Sequence, residues 1–162
     1  MLNEAINRAE ALIAEREYKE AVSILGEIKK NLDSESKKGL YVDFLIGKAF
    51  YLDDLHHEAS GMFESVFMQS ERLFGRSHCF TLRALDFLAR SKSKCGCHDE
   101  ASRLYLRESF CRLGKSPMEA KMISESYNLY CQEKESSYAI NSYEVLASYS
   151  IIKNIGDSYE EI

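Results

Sequence analysis

The chain has 162 residues, enough for one domain with a continuous core, and its 45% apolar and 29% charged residues are those of an ordinary folded protein. A formal charge of -5 with no basic arm argues against nucleic-acid binding. The start, Met1-Leu2-Asn3-Glu4-Ala5-Ile6-Asn7-Arg8, lacks the basic residues and apolar run of a signal peptide, and no stretch approaches the length of an apolar membrane helix. Together with scattered cysteines at Cys79, Cys95, Cys97, Cys111 and Cys131, a poor disulfide framework, this predicts a cytoplasmic or nuclear protein that is neither secreted nor membrane-bound.

Hydrophobic spacing predicts helix along the whole chain. Ala5, Ala9, Leu12 and Ile13 form a first apolar stripe near the 3.6-residue period, and Ala21, Leu25, Ile28 and Leu32 form a second. Only Glu15-Arg16-Glu17 separates them, which is room for an antiparallel helical hairpin and nothing larger. The pattern returns with Leu45, Ile46, Ala49 and Phe50 before Ala59, Met62, Phe63, Val66 and Phe67. It returns again with Leu82, Leu85, Leu88 and Ala89 before Ala101, Leu104, Tyr105 and Glu108. Asp33-Ser34-Glu35-Ser36, Gly75-Arg76-Ser77-His78 and Gly114-Lys115-Ser116-Pro117 divide the pairs. In the last, Ser116, Pro117 and Glu119 have the order of an N-cap, a first-turn proline and a capping-box carboxylate.

The stripes are internally repeated. Ala21, Ala59, Ala101 and Ala139 stand 38, 42 and 38 residues apart in similar local contexts, and Gly47 and Ala89 lie twelve positions before Ala59 and Ala101. Periods of this size identify stacked helical pairs, and small residues at a fixed offset mark places where the paired helices approach closely. The expected domain is therefore a helical repeat over 1–154, with repeats at about 2–35, 40–74, 80–115 and 117–153 and a tail at 155–162.

On these residues the chain resembles the tetratricopeptide-repeat (TPR) family over almost its whole length. Gly47, Ala59 and Phe63 fall on the family's small, small and aromatic positions, and Tyr127, Tyr130, Ala139 and Tyr143 do similar work in the fourth repeat. The segment Thr81-Leu82-Arg83-Ala84-Leu85-Asp86-Phe87-Leu88-Ala89, led by His78, looks like the 42-residue repeats of kinesin light chains. It departs from them in lacking the tryptophan, an asparagine after the first leucine pair, and the proline that ends most repeats. More narrowly, Phe74-Gly75-Arg76-Ser77-His78-Cys79-Phe80-Thr81-Leu82 is similar to a stretch in the N-terminal TPR region of an anaphase-promoting-complex subunit, which would imply a homodimerising scaffold in a ubiquitin-ligase assembly in the cell cycle. The resemblance implies an all-α, right-handed, TPR-like solenoid of four antiparallel helical hairpins. It also implies a non-catalytic scaffold or adaptor for protein–protein interaction.

In that fold the first helix of each pair lines a concave groove. The groove positions are then Asn3, Ile6 and Glu10; Tyr41, Phe44, Lys48 and Tyr51; Arg83, Asp86, Arg90 and Lys94; and Lys121, Ser124, Asn128 and Cys131. Lys48, Arg83, Arg90, Lys94 and Lys121 gather beside Tyr41 and Tyr51, a surface suited to an extended acidic peptide, although a solvated face that happens to be basic reads the same way. The family's carboxylate clamp is missing, since Ile6 and Glu10 stand where its first lysine and asparagine belong. In the last helix, about 137–153, Tyr138, Val145, Tyr149 and Ile152 form one of several apolar stripes, which predicts association with a second copy or another protein unless the tail covers them.

The competing chemistry is Cys95-Gly96-Cys97-His98, soft ligands in one loop that would need a fourth group to hold zinc, or a reactive thiol. His98 occupies the hairpin position of Tyr18 and His56, which favours a packing role. No phosphate loop, serine elbow or HExxH is present. The expectation is no catalytic residues, no cofactor and no metal.

Overall fold

A computed structural model of the protein describes residues 2–33 and 36–113. These form helices α1 (Leu2–Ala14), α2 (Tyr18–Lys30), α3 (Lys37–Leu52), α4 (His56–Phe74), α5 (Cys79–Lys94) and α6 (His98–Leu113), and the described residues contain no strand. The described part is thus all-α. Packing follows chain order, α1 on α2 through α5 on α6, with lesser contacts of α1 with α3 and α3 with α5. Packing dominated by sequence neighbours, with lesser contacts between successive first helices, is what stacked helical pairs produce. The expected fourth repeat, 117–153, and the tail lie outside the described residues.

The three hairpin turns repeat one backbone geometry. Arg16, Asp54 and Gly96 adopt left-handed φ of 68°, 58° and 81°, at the same 38- and 42-residue spacing as the alanines. In each turn the next amide reaches back five residues, Glu17 to Leu12, Leu55 to Phe50 and Cys97 to Lys92, at 2.8, 2.9 and 2.9 Å. That bond closes the last helical carbonyls as a Schellman motif does. Those same residues start the next helix, because their carbonyls accept the amides of Ala21, Ala59 and Ala101 at 3.1, 2.9 and 3.0 Å.

Between hairpins the caps are made by side chains. Ser36 accepts from the Gly39 amide at 3.0 Å, so α3 begins at Lys37, three residues before the sequence-based boundary. After Gly75, with φ 87°, His78 caps α5 by accepting the Phe80 amide on Nδ1 at 3.2 Å, and its ring stacks on Phe74 at 4.7 Å between centroids. The segment Phe74–Leu82 is therefore a capped inter-hairpin junction.

Small residues set the helix spacing. Ala9, Ala21, Ala59, Ala89 and Ala101 are fully buried, and Ala9 precedes Ala21 by the same twelve positions as Gly47 precedes Ala59 and Ala89 precedes Ala101. A methyl at Gly47 would sit 3.1 Å from Phe63 Cε1 and 3.2 Å from Met62 Cβ, whereas one at Gly61 meets nothing within 4 Å. Gly61→Ala is expected to raise stability by about 0.5–1 kcal/mol through helix propensity. Gly47→Ala makes the same gain and loses it to overpacking that costs about 1–3 kcal/mol, since Met62 Cβ is fixed to its backbone. Urea denaturation of the two variants would therefore move in opposite directions.

The core runs from hairpin to hairpin, ending in a small cluster of Ala89, Ala101 and Tyr105 between α5 and α6. Ile6, Ala9, Ile13, Ala21, Leu25, Val42, Leu45, Ile46 and Ala49 join α1, α2 and α3, while Leu40, Phe44, Ala59, Phe63, Val66, Phe67, Ala84, Leu85 and Leu88 join α3, α4 and α5. Among the described residues no helix is long and apolar enough to cross a membrane.

Candidate functional site

The first helices α1, α3 and α5 carry the residues expected to face a ligand, and their side chains fall into three kinds. Phe44 is a correction. It is 2% exposed and sits in the core, with ring centroids 5.6 Å from Phe63, 5.3 Å from Phe80 and 5.5 Å from Phe87. Its helix is apolar almost all the way round, so a position assigned outward by register lands between α4 and α5. Ile6 is likewise buried.

The α5 residues form the second kind, partly engaged with their own surroundings. Arg83 is exposed, with its guanidinium over the Phe44 ring at 5.5 Å to the centroid, so it also shields that ring. Arg90 binds Asp86 one turn earlier at 2.9 and 3.1 Å and lies 5.9 Å from the Phe87 centroid. Half-buried Tyr51 packs against Phe87 at 5.6 Å and His56 at 5.3 Å. Lys94 is exposed at the end of the helix. Burial, aided by the nearby Asp86 carboxylate, pushes the Tyr105 hydroxyl up to about 12, so it stays protonated and neutral beside Arg90. Lys121, Asn128 and the association residues Tyr138, Val145, Tyr149 and Ile152 lie outside the described residues.

The third kind lines a trough between α1 and α3. One cleft of about 460 Å³ is bounded by Asn3, Asn7, Glu10, Lys37, Lys38 and Tyr41 over Ile6. A second, about 510 Å³, is bounded by Glu10, Ala14, Arg16, Tyr18, Lys48 and Leu52 over Ile13. Glu10 belongs to both, and the Tyr41 hydroxyl donates to its Oε1, so this pair forms a bridge across the middle. Burial and then the Glu10 hydrogen bond push the Tyr41 hydroxyl up to about 12, which keeps it a donor at any physiological pH. At the α3 N-terminal end Lys38 reaches Asn3 Oδ1 at 3.4 Å, and Lys37 lies over the Phe74 ring at 5.7 Å. Positions 37, 41, 48 and 52 on α3 and 3, 7, 10 and 14 on α1 follow helical spacing, so each helix gives one continuous wall.

Register reasoning placed Asn3, Ile6, Glu10, Tyr41 and Lys48 on this face but not Arg16, Lys37 or Lys38. The two lysines fall before a repeat boundary at about 40, and Ser36 followed by Lys37-Lys38 is the sequence signal that α3 starts earlier. Arg16 was read as a turn residue only. A further polar contact had no repeat to announce it. Asp43, buried in the middle of α3, has its Oδ1 2.5 Å from the Lys29 ammonium of α2, an ion pair whose angles fall outside those of a hydrogen bond.

Cys95, Cys97 and His98 gather into no site of three or more metal-ligating groups among the described residues. Burial, reinforced by Cys97, raises the Cys95 thiol above its ordinary value, the direction opposite to that of an activated thiolate. His56, the counterpart of His98 in the preceding hairpin, is half-buried with its ring against Tyr51 and Nε2 3.5 Å from Asp54.

The described residues define an all-helical fold with a basic and aromatic trough between its first helices. No family model, no curated protein and no solved structure matches the chain.

Proposed function

We propose that this protein is a non-catalytic interaction scaffold, a TPR-like right-handed solenoid that binds an extended acidic or aromatic-acidic segment of a protein partner on the face of its first helices. The observation that carries the reading is the trough between α1 and α3, where Arg16, Lys37, Lys38 and Lys48 surround an apolar floor in a chain whose net charge is -5. Cations collected in a concave wall focus the field and attract anionic ligands even when the whole molecule is acidic. Three hairpin turns of one geometry at 38- and 42-residue spacing support the repeat architecture.

The test is affinity purification from the native cell with mass spectrometry, comparing the wild type with a Lys48→Glu/Arg83→Gln variant whose fold is checked by circular dichroism. Partners with acidic segments are expected to be depleted from the variant. An unchanged partner set would refute a charge-reading groove.

A further inference from the structure

The trough does not have one sign along its length. Lys37 and Lys38 flank one end, Arg16 and Lys48 the other, and the sole carboxylate common to both clefts, Glu10, stands between them with Tyr41. Lys37 and Lys48 are eleven residues apart on one helix, a separation of about 16 Å at ~1.5 Å per residue. An extended chain covers that distance in about five residues.

We propose that the trough takes an extended peptide lengthwise between α1 and α3, with acidic residues about five positions apart at its two ends and a neutral middle enforced by Glu10. The ends of the ligand meet cations, and its centre meets a carboxylate that is already accepting from Tyr41 and has lone pairs left for a hydroxyl or amide donor. An acidic residue in the middle faces like charge at short range, so Glu10 discriminates by repulsion as well as by attraction. Ile6 and Ile13 close the trough from below, and Leu52, 41% exposed at one end, offers apolar area for a ligand side chain to cover. This inference rests on the acidic-peptide reading above and adds direction, spacing and a specificity residue to it.

Two fluorescein-labelled peptides of identical composition separate the ideas: Glu-Glu-Ser-Tyr-Ser-Tyr-Glu-Glu, with divided charge, and Ser-Tyr-Glu-Glu-Glu-Glu-Ser-Tyr, with contiguous charge. By fluorescence anisotropy at low salt, the wild-type protein is expected to bind the divided peptide at least fivefold more tightly. Glu10→Gln, which keeps an acceptor for Tyr41, is expected to bring the contiguous peptide to within twofold of the divided one. Lys48→Glu, with an unchanged helical spectrum, is expected to weaken the divided peptide at least tenfold. Equal binding of both peptides to the wild type, or loss of binding in Arg83→Gln but not in Lys48→Glu, would overturn the lengthwise site and leave the scaffold reading standing. Binding of neither peptide would remove both.

Discussion

Phe44→Ala is expected to destabilise the fold by about 3–5 kcal/mol, the range for removing a fully buried phenylalanine. The ring is 2% exposed and meets Phe63, Phe80 and Phe87 in tilted or edge-on contacts, each of which adds to plain area burial. Truncation would leave a cavity at the junction of α3, α4 and α5, and it would leave the Arg83 guanidinium without the ring beneath it. Phe44→Leu should cost less, about 1–1.5 kcal/mol, because much of the volume remains. Urea denaturation followed by circular dichroism measures both. A groove residue would behave differently: Phe44→Ala would then stay within about 0.5 kcal/mol of wild type and lose only ligand.

Lys29→Met is expected to cost roughly 2–3 kcal/mol, less than the figure for a fully enclosed pair because the Lys29 side chain is 41% exposed. The loss comes from Asp43, whose side chain is 6% exposed and which would keep its buried charge without the ammonium at 2.5 Å. The equivalent positions in the neighbouring repeats are Ala5 and Leu85, so the register itself accepts an apolar side chain. The double variant Lys29→Met/Asp43→Leu should therefore return to within about 1 kcal/mol of wild type, or exceed it. A double-mutant cycle gives the coupling directly, and additive single losses would show that the two groups do not support each other. The pair also ties α2 to α3, which makes it a fastening between the first and second hairpins.

Helices and hairpins were legible in the sequence because their cause is local. Apolar side chains at the 3.6-residue period must share one face, and Ala21, Leu25, Ala49, Ala59, Phe63, Leu85, Ala89 and Ala101 all entered the core as that period requires. The close approach at Gly47 was legible for a related reason, since a small residue repeated at a fixed offset leaves room for one particular neighbour, here Phe63. The turns were less so. Gly96 advertises a left-handed residue and Asp54 tolerates one, but Arg16 adopts the same conformation with a side chain that disfavours it, held there by the backbone bonds that end one helix and start the next.

The candidate site was legible only in part. Helical register places Tyr41 and Lys48 on one wall of α3, yet register alone also put Phe44 there, and only the packing of α4 and α5 decided that this ring is enclosed. Helical register puts Arg83 and Arg90 on the outer part of α5, where both are exposed. Their pairing with an aromatic face and with Asp86 depends on rotamers that a helical wheel does not contain. Among the described residues the sequence by itself determined the helices and their pairing into hairpins, because periodicity and chain connectivity act over a few residues to a few tens of residues. The tertiary structure alone decided which polar groups meet, Lys29 with Asp43 and Tyr41 with Glu10, and where cations border a trough, because those contacts join helices whose relative rotation no short-range pattern specifies.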